Sequence, residues 1–146
     1  SGSHYRARLD WDDLQLQRHY NPLRAYGRTK LANVAFTAEL NRRLGPGSSI
    51  RVFAADPGLV KTDIGAKTNS RLAGWIWALR RRGGIEPEQA AEGVLELLIG
   101  ESVDVAKGLY WKHGKPKPPS PYALEPSVGR RLWQASSQMC GIDEGG

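Results

Sequence analysis

Tyr26 and Lys30 stand four positions apart in a stretch that reads as helix. That spacing sets both side chains on one face, one turn apart. A phenol ordinarily loses its proton near pH ~10, too high for work at neutral pH. A neighbouring ammonium favours the phenolate. A Tyr/Lys pair can therefore act as a general acid/base on a hydroxyl or a carbonyl. Taken alone, Tyr-x-x-x-Lys is also what an ordinary surface pair looks like. The surrounding elements have to decide between the two.

Residues 25–44 carry the strongest helix signal in the chain. Leu31, Val34, Ala35, Ala38 and Leu40 form a near-helical apolar stripe. Arg42 and Arg43 suit the C-terminal end of a helix, and Gly45-Pro46-Gly47 stops it. Tyr20-Asn21-Pro22 is a turn signal before it. Ile50–Ala55 reads as a short strand ended by Asp56-Pro57-Gly58, its apolar run interrupted by Arg51. Leu72, Trp75, Ile76, Trp77 and Leu79 fall on a less regular helical segment. Pro87 opens a further helix to about Ile99, apolar at Ala90, Ala91, Val94, Leu95 and Leu98. Gly108–Trp111 is a second strand candidate, Lys115–Pro121 a Pro/Lys loop, and Pro126–Gly141 a terminal helix.

Helix–strand–helix–strand–helix is the order of an α/β fold with parallel strands. Two strands make a poor sheet with open edges, so the pattern reads as part of a larger one. The chain, residues 1–146, is treated as one domain. A single cysteine, Cys140, rules out an internal disulfide. His4, His19 and His113 lack metal-ligand spacing, so no metal is expected. No apolar run reaches the ~18 residues of a membrane span, and no signal peptide is visible. The net charge of +6 is read as solvated surface, since no nucleic-acid motif accompanies it. A cytoplasmic location is the expectation, with an upstream anchor or targeting segment left open.

Tyr26-Gly27-Arg28-Thr29-Lys30-Leu31-Ala32-Asn33 resembles the active-site helix of the short-chain dehydrogenase/reductase family. Thirty-one residues beyond Tyr26, Pro57-Gly58-Leu59-Val60-Lys61-Thr62 looks like that family's Pro-Gly-x-x-x-Thr loop. The resemblance is closer to the retinol-dehydrogenase-like branch, through Ala25–Leu44, Gly108-Leu109-Tyr110-Trp111 and Arg131-Leu132-Trp133. It implies the C-terminal part of a doubly wound, parallel-sheet Rossmann-like fold. It implies an NAD(P)-dependent oxidoreductase interconverting an alcohol and a ketone or aldehyde by hydride transfer. Tyr26 would be the acid/base, and Lys30 would assist it and hold the cofactor's ribose hydroxyls. Ser1, 25 positions upstream of Tyr26, would be the serine that hydrogen-bonds the substrate oxygen. Pro57, Gly58, Val60 and Thr62 would contact the nicotinamide side of the cofactor. Asp56 stands where the branch often has His and is assigned no role.

The same resemblance marks what is absent. The chain has neither the Gly-x-x-x-Gly-x-Gly loop that holds the pyrophosphate nor the Asn-Asn-Ala-Gly stretch. The expectation is that the cofactor-binding N-terminal half lies outside this sequence and that the chain alone is inactive. The branch slightly favours NADP, although the residues that choose between NAD and NADP are upstream. The expected partner is a small alcohol or carbonyl compound of apolar character, with no nucleic acid. Family members often pair through the helices that correspond here to residues 25–44 and 87–99. The alternative is a non-catalytic binding or scaffold protein that reuses the fold.

Overall fold

The computed structural model describes residues 2–61, 84–100 and 108–142. Ser1, Thr62 and the helical segment expected around Trp75–Leu79 lie outside the described residues. A 3-10 turn at Gly2–Tyr5 is followed by helix α1, Pro22–Leu44. Then come strand β1, Ala54–Asp56, and helix α2, Pro87–Ile99. Strands β2, Tyr110–Lys112, and β3, Lys115–Pro116, precede helices α3, Pro121–Leu124, and α4, Pro126–Cys140.

Helix α1 begins three residues earlier than its apolar stripe indicates. Asn21, read from sequence as part of a turn, is the N-cap: its side-chain oxygen accepts the N–H groups of Leu23 and Arg24, each at 3.0 Å. Pro22 occupies the first turn, where a missing N–H costs nothing. Gly45, with φ 76°, ends the helix. Gly27, Leu31, Val34, Ala35 and Ala38 line its buried face. Glu39 is buried beside them and forms ion pairs with Arg42 and Arg43.

The core joins that face to β2, α3, α4 and the N-terminal segment. Leu9, Leu31, Val34, Ala35, Tyr110, Ala123, Val128 and Leu132 form one cluster. Leu9, from the segment before α1, belongs to it. Phe36 of α1 stacks on Trp133 of α4 with centroids 5.2 Å apart, and the Arg43 guanidinium covers the other aromatic partner at 4.3 Å. Contacts of this kind add to area burial because ring faces carry partial negative charge. On α4, Leu132 is buried and Met139 is exposed.

The sheet has the order β1-β2-β3. β1 and β2 are parallel, pairing Ala54 with Tyr110 and Asp56 with Lys112. β3 runs antiparallel to β2, so the sheet is mixed rather than wholly parallel. The Lys115–Pro121 loop conceals this third strand. His113 and Gly114 both have positive φ, 51° and 69°, and form the two-residue turn of a tight hairpin. The first strand is shorter than Ile50–Ala55 and shifted towards Asp56. Upstream of it, Val52 finds its backbone partners on α1: Asn41 Nδ2 donates to the Val52 carbonyl at 2.7 Å, and Val52 N–H donates to Asn41 Oδ1 at 3.1 Å. The second strand likewise starts at Tyr110, with Trp111 buried, and runs on to Lys112.

Helix α2 matches its expected bounds, with a capping box between Glu86 and Gln89. Its apolar face is not covered among the described residues: Val94, Leu95, Leu98 and Ile99 are all exposed. Among the described residues β1 is also an edge strand. No helix among them is long and apolar enough to cross a membrane.

Leu31 has no exposed surface and sits where α1 meets the rest of the core. Leu31→Ala is expected to cost about 2–5 kcal/mol through lost burial and the cavity it leaves. Urea unfolding with an unchanged m-value would register this as a lower midpoint.

Candidate active site

Tyr26 and Lys30 lie in the first three turns of α1, off its buried face. Tyr26 is 51% exposed, and Lys30 Nζ lies 5.3 Å from the centroid of its ring. The two open into a cleft of 360 Å³ whose other walls are Asn33 on the same helix, Ala54–Gly58, and Tyr110. α1 thus forms one side, and the carboxyl end of β1 forms the other. That end of a parallel strand is where ligands bind in open α/β sheets.

The Pro57–Gly58 turn is closely held. Gly58 has φ 84°, and its N–H donates to Asp56 Oδ1 at 2.9 Å. The His113 ring lies against it: a Cβ at position 58 would stand 2.1 Å from His113 Cε1. Only glycine suits both the backbone angle and the space. Beyond the turn, Val60 forms an isolated parallel bridge with Ile85, and Lys61 N–H donates to the Ile85 carbonyl at 3.0 Å. The Lys61 ammonium also pairs with Glu86 at the start of α2.

Of the residues expected to form the site, the structure gathers Tyr26, Lys30, Pro57 and Gly58 around one cleft. Val60 follows directly in the chain but does not line the cleft; it is tied to Ile85 instead. Ser1 and Thr62 lie outside the described residues.

No family model matches the chain. Retinol dehydrogenase 13 of Homo sapiens is 36% identical to it over 150 residues, covering 97% of this chain and 44% of that protein. Retinol dehydrogenase 14 of Homo sapiens is 32% identical over 142 residues, covering 92% of this chain and 40% of that protein. Retinol dehydrogenase 11 of Homo sapiens is 30% identical over 140 residues, covering 96% and 43%. The chain belongs to the short-chain dehydrogenase/reductase family. It spans less than half the length of these curated relatives, which fits a C-terminal portion of such a dehydrogenase. A crystal structure of an uncharacterized protein from Mycobacterium Paratuberculosis shares its fold, with a TM-score of 0.64 at 26% identity. That match covers 98% of this chain and 48% of the other.

Within this cleft, sequence reasoning passed over Asp56 and Tyr110. Asp56 is 3% exposed, and its Oδ2 accepts the Tyr110 hydroxyl at 2.8 Å. Burial by itself raises the Asp56 pKa. The N-terminal ammonium of the chain, followed by the hydrogen bonds that Tyr110 and Gly58 donate to the carboxylate, outweighs burial and holds it at about 2. Burial and the hydrogen bond to Asp56 push the Tyr110 phenol well above its ordinary range. His4 is fully buried, and its Nε2 accepts the Ser120 N–H at 3.2 Å. The one available signal for the pair was an Asp directly before Pro-Gly, a position that favours a side-chain hydrogen bond two residues on.

The cleft sets a hydroxyl and an ammonium on one wall against a tight backbone turn on the other. Among the described residues nothing comparable suits a pyrophosphate, since the Gly-rich loop is absent from the sequence. Among them, too, no group of three or more His, Cys, Asp or Glu could hold a metal ion.

A carboxylate held below its unfolded range stabilises the fold above that range, and this stability is lost as pH falls through the folded value. For Asp56 the window runs from about pH 4 down to about pH 2. Urea midpoints should therefore drop across that window. Asp56→Asn, which has no charge to lose there, should flatten part of the slope. An unchanged acid limb in Asp56→Asn would refute the assignment.

Proposed function

We propose that this chain supplies the acid/base and the nicotinamide-facing side of an NAD(P)-dependent oxidoreductase that interconverts an alcohol with a ketone or aldehyde. One observation carries the reading: Tyr26 and Lys30 share a single cleft with the Pro57–Gly58 turn at the carboxyl end of β1. The names of the relatives make retinol and retinal the first pair to test, and the branch slightly favours NADP.

In reduction, the Tyr26 hydroxyl gives its proton to the carbonyl oxygen as negative charge develops there. In oxidation, the Tyr26 phenolate takes the proton back from the alcohol. Lys30, one helical turn away, offers N–H donors to ribose hydroxyls. Pro57 and Gly58 present a close, rigid backbone edge to the nicotinamide. The cofactor, when bound, supplies or accepts the hydride. Its pyrophosphate and adenine would be held by residues outside this chain, so the chain by itself should not turn over.

In the whole protein that contains this chain, Tyr26→Phe should lower carbonyl-dependent oxidation of NADPH or NADH by about 100-fold or more. Cofactor affinity, followed by nicotinamide fluorescence, should stay within about threefold, because the ring and its packing are kept. Lys30→Ala should weaken both. Full turnover in Tyr26→Phe would remove the reading. A protein that binds cofactor but reduces nothing in a broad carbonyl panel would be a non-catalytic binder.

A further inference from the structure

Asp56 sits at the last position of β1, immediately before the turn that faces Tyr26 and Lys30. Both of its carboxylate oxygens are engaged. Oδ2 accepts the Tyr110 hydroxyl, and Oδ1 accepts the Gly58 N–H. Its backbone carbonyl accepts the His113 N–H at 3.0 Å. His113 in turn packs on Gly58. The turn is therefore held by the carboxylate through the Gly58 N–H and flanked by the His113 ring, whose backbone N–H bonds the Asp56 carbonyl. A carboxylate this buried, with both oxygens taken, is poorly placed to exchange protons with a substrate. It is well placed to hold donors still, because charged acceptors make the stronger hydrogen bonds.

Tyr110 carries the restraint further. It is 2% exposed, and its ring meets His4 edge-on at 4.8 Å and Tyr5 at 6.5 Å. His4 is fastened to the Ser120 backbone. The position of the Pro57–Gly58 turn is thus tied through Tyr110 to the N-terminal turn Gly2–Tyr5 and to the start of α3.

We propose that Asp56 is a positioning residue: gripped by Tyr110, its carboxylate fixes the Pro57–Gly58 turn at the separation from Tyr26 and Lys30 that the nicotinamide riboside requires. This rests on the function proposed above. Asp56 does not take part in proton transfer. Loss of its hold weakens the cofactor's grip and leaves the chemical step alone.

The test uses the whole protein containing this chain, with Asp56→Ala, Asp56→Asn and Tyr110→Phe. The readouts are the KM for NADPH and NADH, kcat, and amide hydrogen exchange at Gly58. Asp56→Ala should raise the cofactor KM and speed Gly58 exchange, each about tenfold, the factor expected for one lost charge-assisted bond. Its kcat should stay within about threefold. Tyr110→Phe should shift the same two readouts in the same direction by less, and it keeps the ring's packing should the alanine variant fail to fold. Asp56→Asn should recover much of the affinity, since its amide oxygen can still accept the Gly58 N–H. Wild-type Gly58 exchange in both Asp56→Ala and Tyr110→Phe would overturn the positioning role, whatever the cofactor does. A fall in kcat at constant KM would overturn it too, by making Asp56 part of the chemistry. Failure of the underlying function shows separately, as wild-type protein that neither binds nor oxidises either cofactor.

Discussion

Everything in this site depends on α1 presenting two different faces at once. Residues 27, 31, 34, 35 and 38 are buried against β2, α3 and α4, while residues 26, 30 and 33 look into the cleft. The helical repeat makes this division unavoidable once the apolar stripe is seated. Rotating the helix to bury Tyr26 would expose Leu31, which now has no accessible surface. The apolar packing therefore aims the Tyr/Lys pair. Asn21 and Gly45 fix where the helix starts and stops, so the pair lies near the N-terminal end and close to the carboxyl end of β1.

The opposite wall is built by different means. It is held by hydrogen bonds to one buried carboxylate and by an aromatic ring packed on a glycine. Such a wall is sharper in geometry and more sensitive to single changes, because a buried polar group that loses its partner is costly. The flank beyond β1 is different again. Among the described residues, an edge strand and an uncovered apolar face on α2 occur together in a chain that spans less than half of its relatives. Exposed strand edges and apolar faces are usually covered in a complete fold. The remainder of a longer dehydrogenase would have both to cover.

The parts legible in the sequence were those written in local spacing. Tyr26 and Lys30, the stripe of α1 and the bounds of α2 follow from periodicity and caps. The Pro57–Gly58 turn follows from two residues with special backbone behaviour. The missed parts depend on partners far along the chain. Asp56 gains its meaning from Tyr110, 54 positions later, and His4 from Ser120, 116 positions later. No window of sequence shows that such groups will meet. Val52 looked like strand because it is extended and apolar, yet it pairs with the Asn41 side chain instead of a neighbouring strand. The third strand was missed for a local reason: it follows the His113-Gly114 hairpin turn and opens the Lys115–Pro121 run that Lys and Pro made look like loop.

The central claim is that the wall built by α1 and the wall built by Asp56-Pro57-Gly58 face the same ligand. The most direct measurement is a structure of the whole protein with oxidised cofactor bound. The account predicts the nicotinamide riboside in the cleft between Lys30 and Gly58, with a ribose hydroxyl within hydrogen-bond reach of Lys30 Nζ and the ring open towards the Tyr26 hydroxyl. A cofactor bound elsewhere, with this cleft filled by protein or solvent, would contradict it.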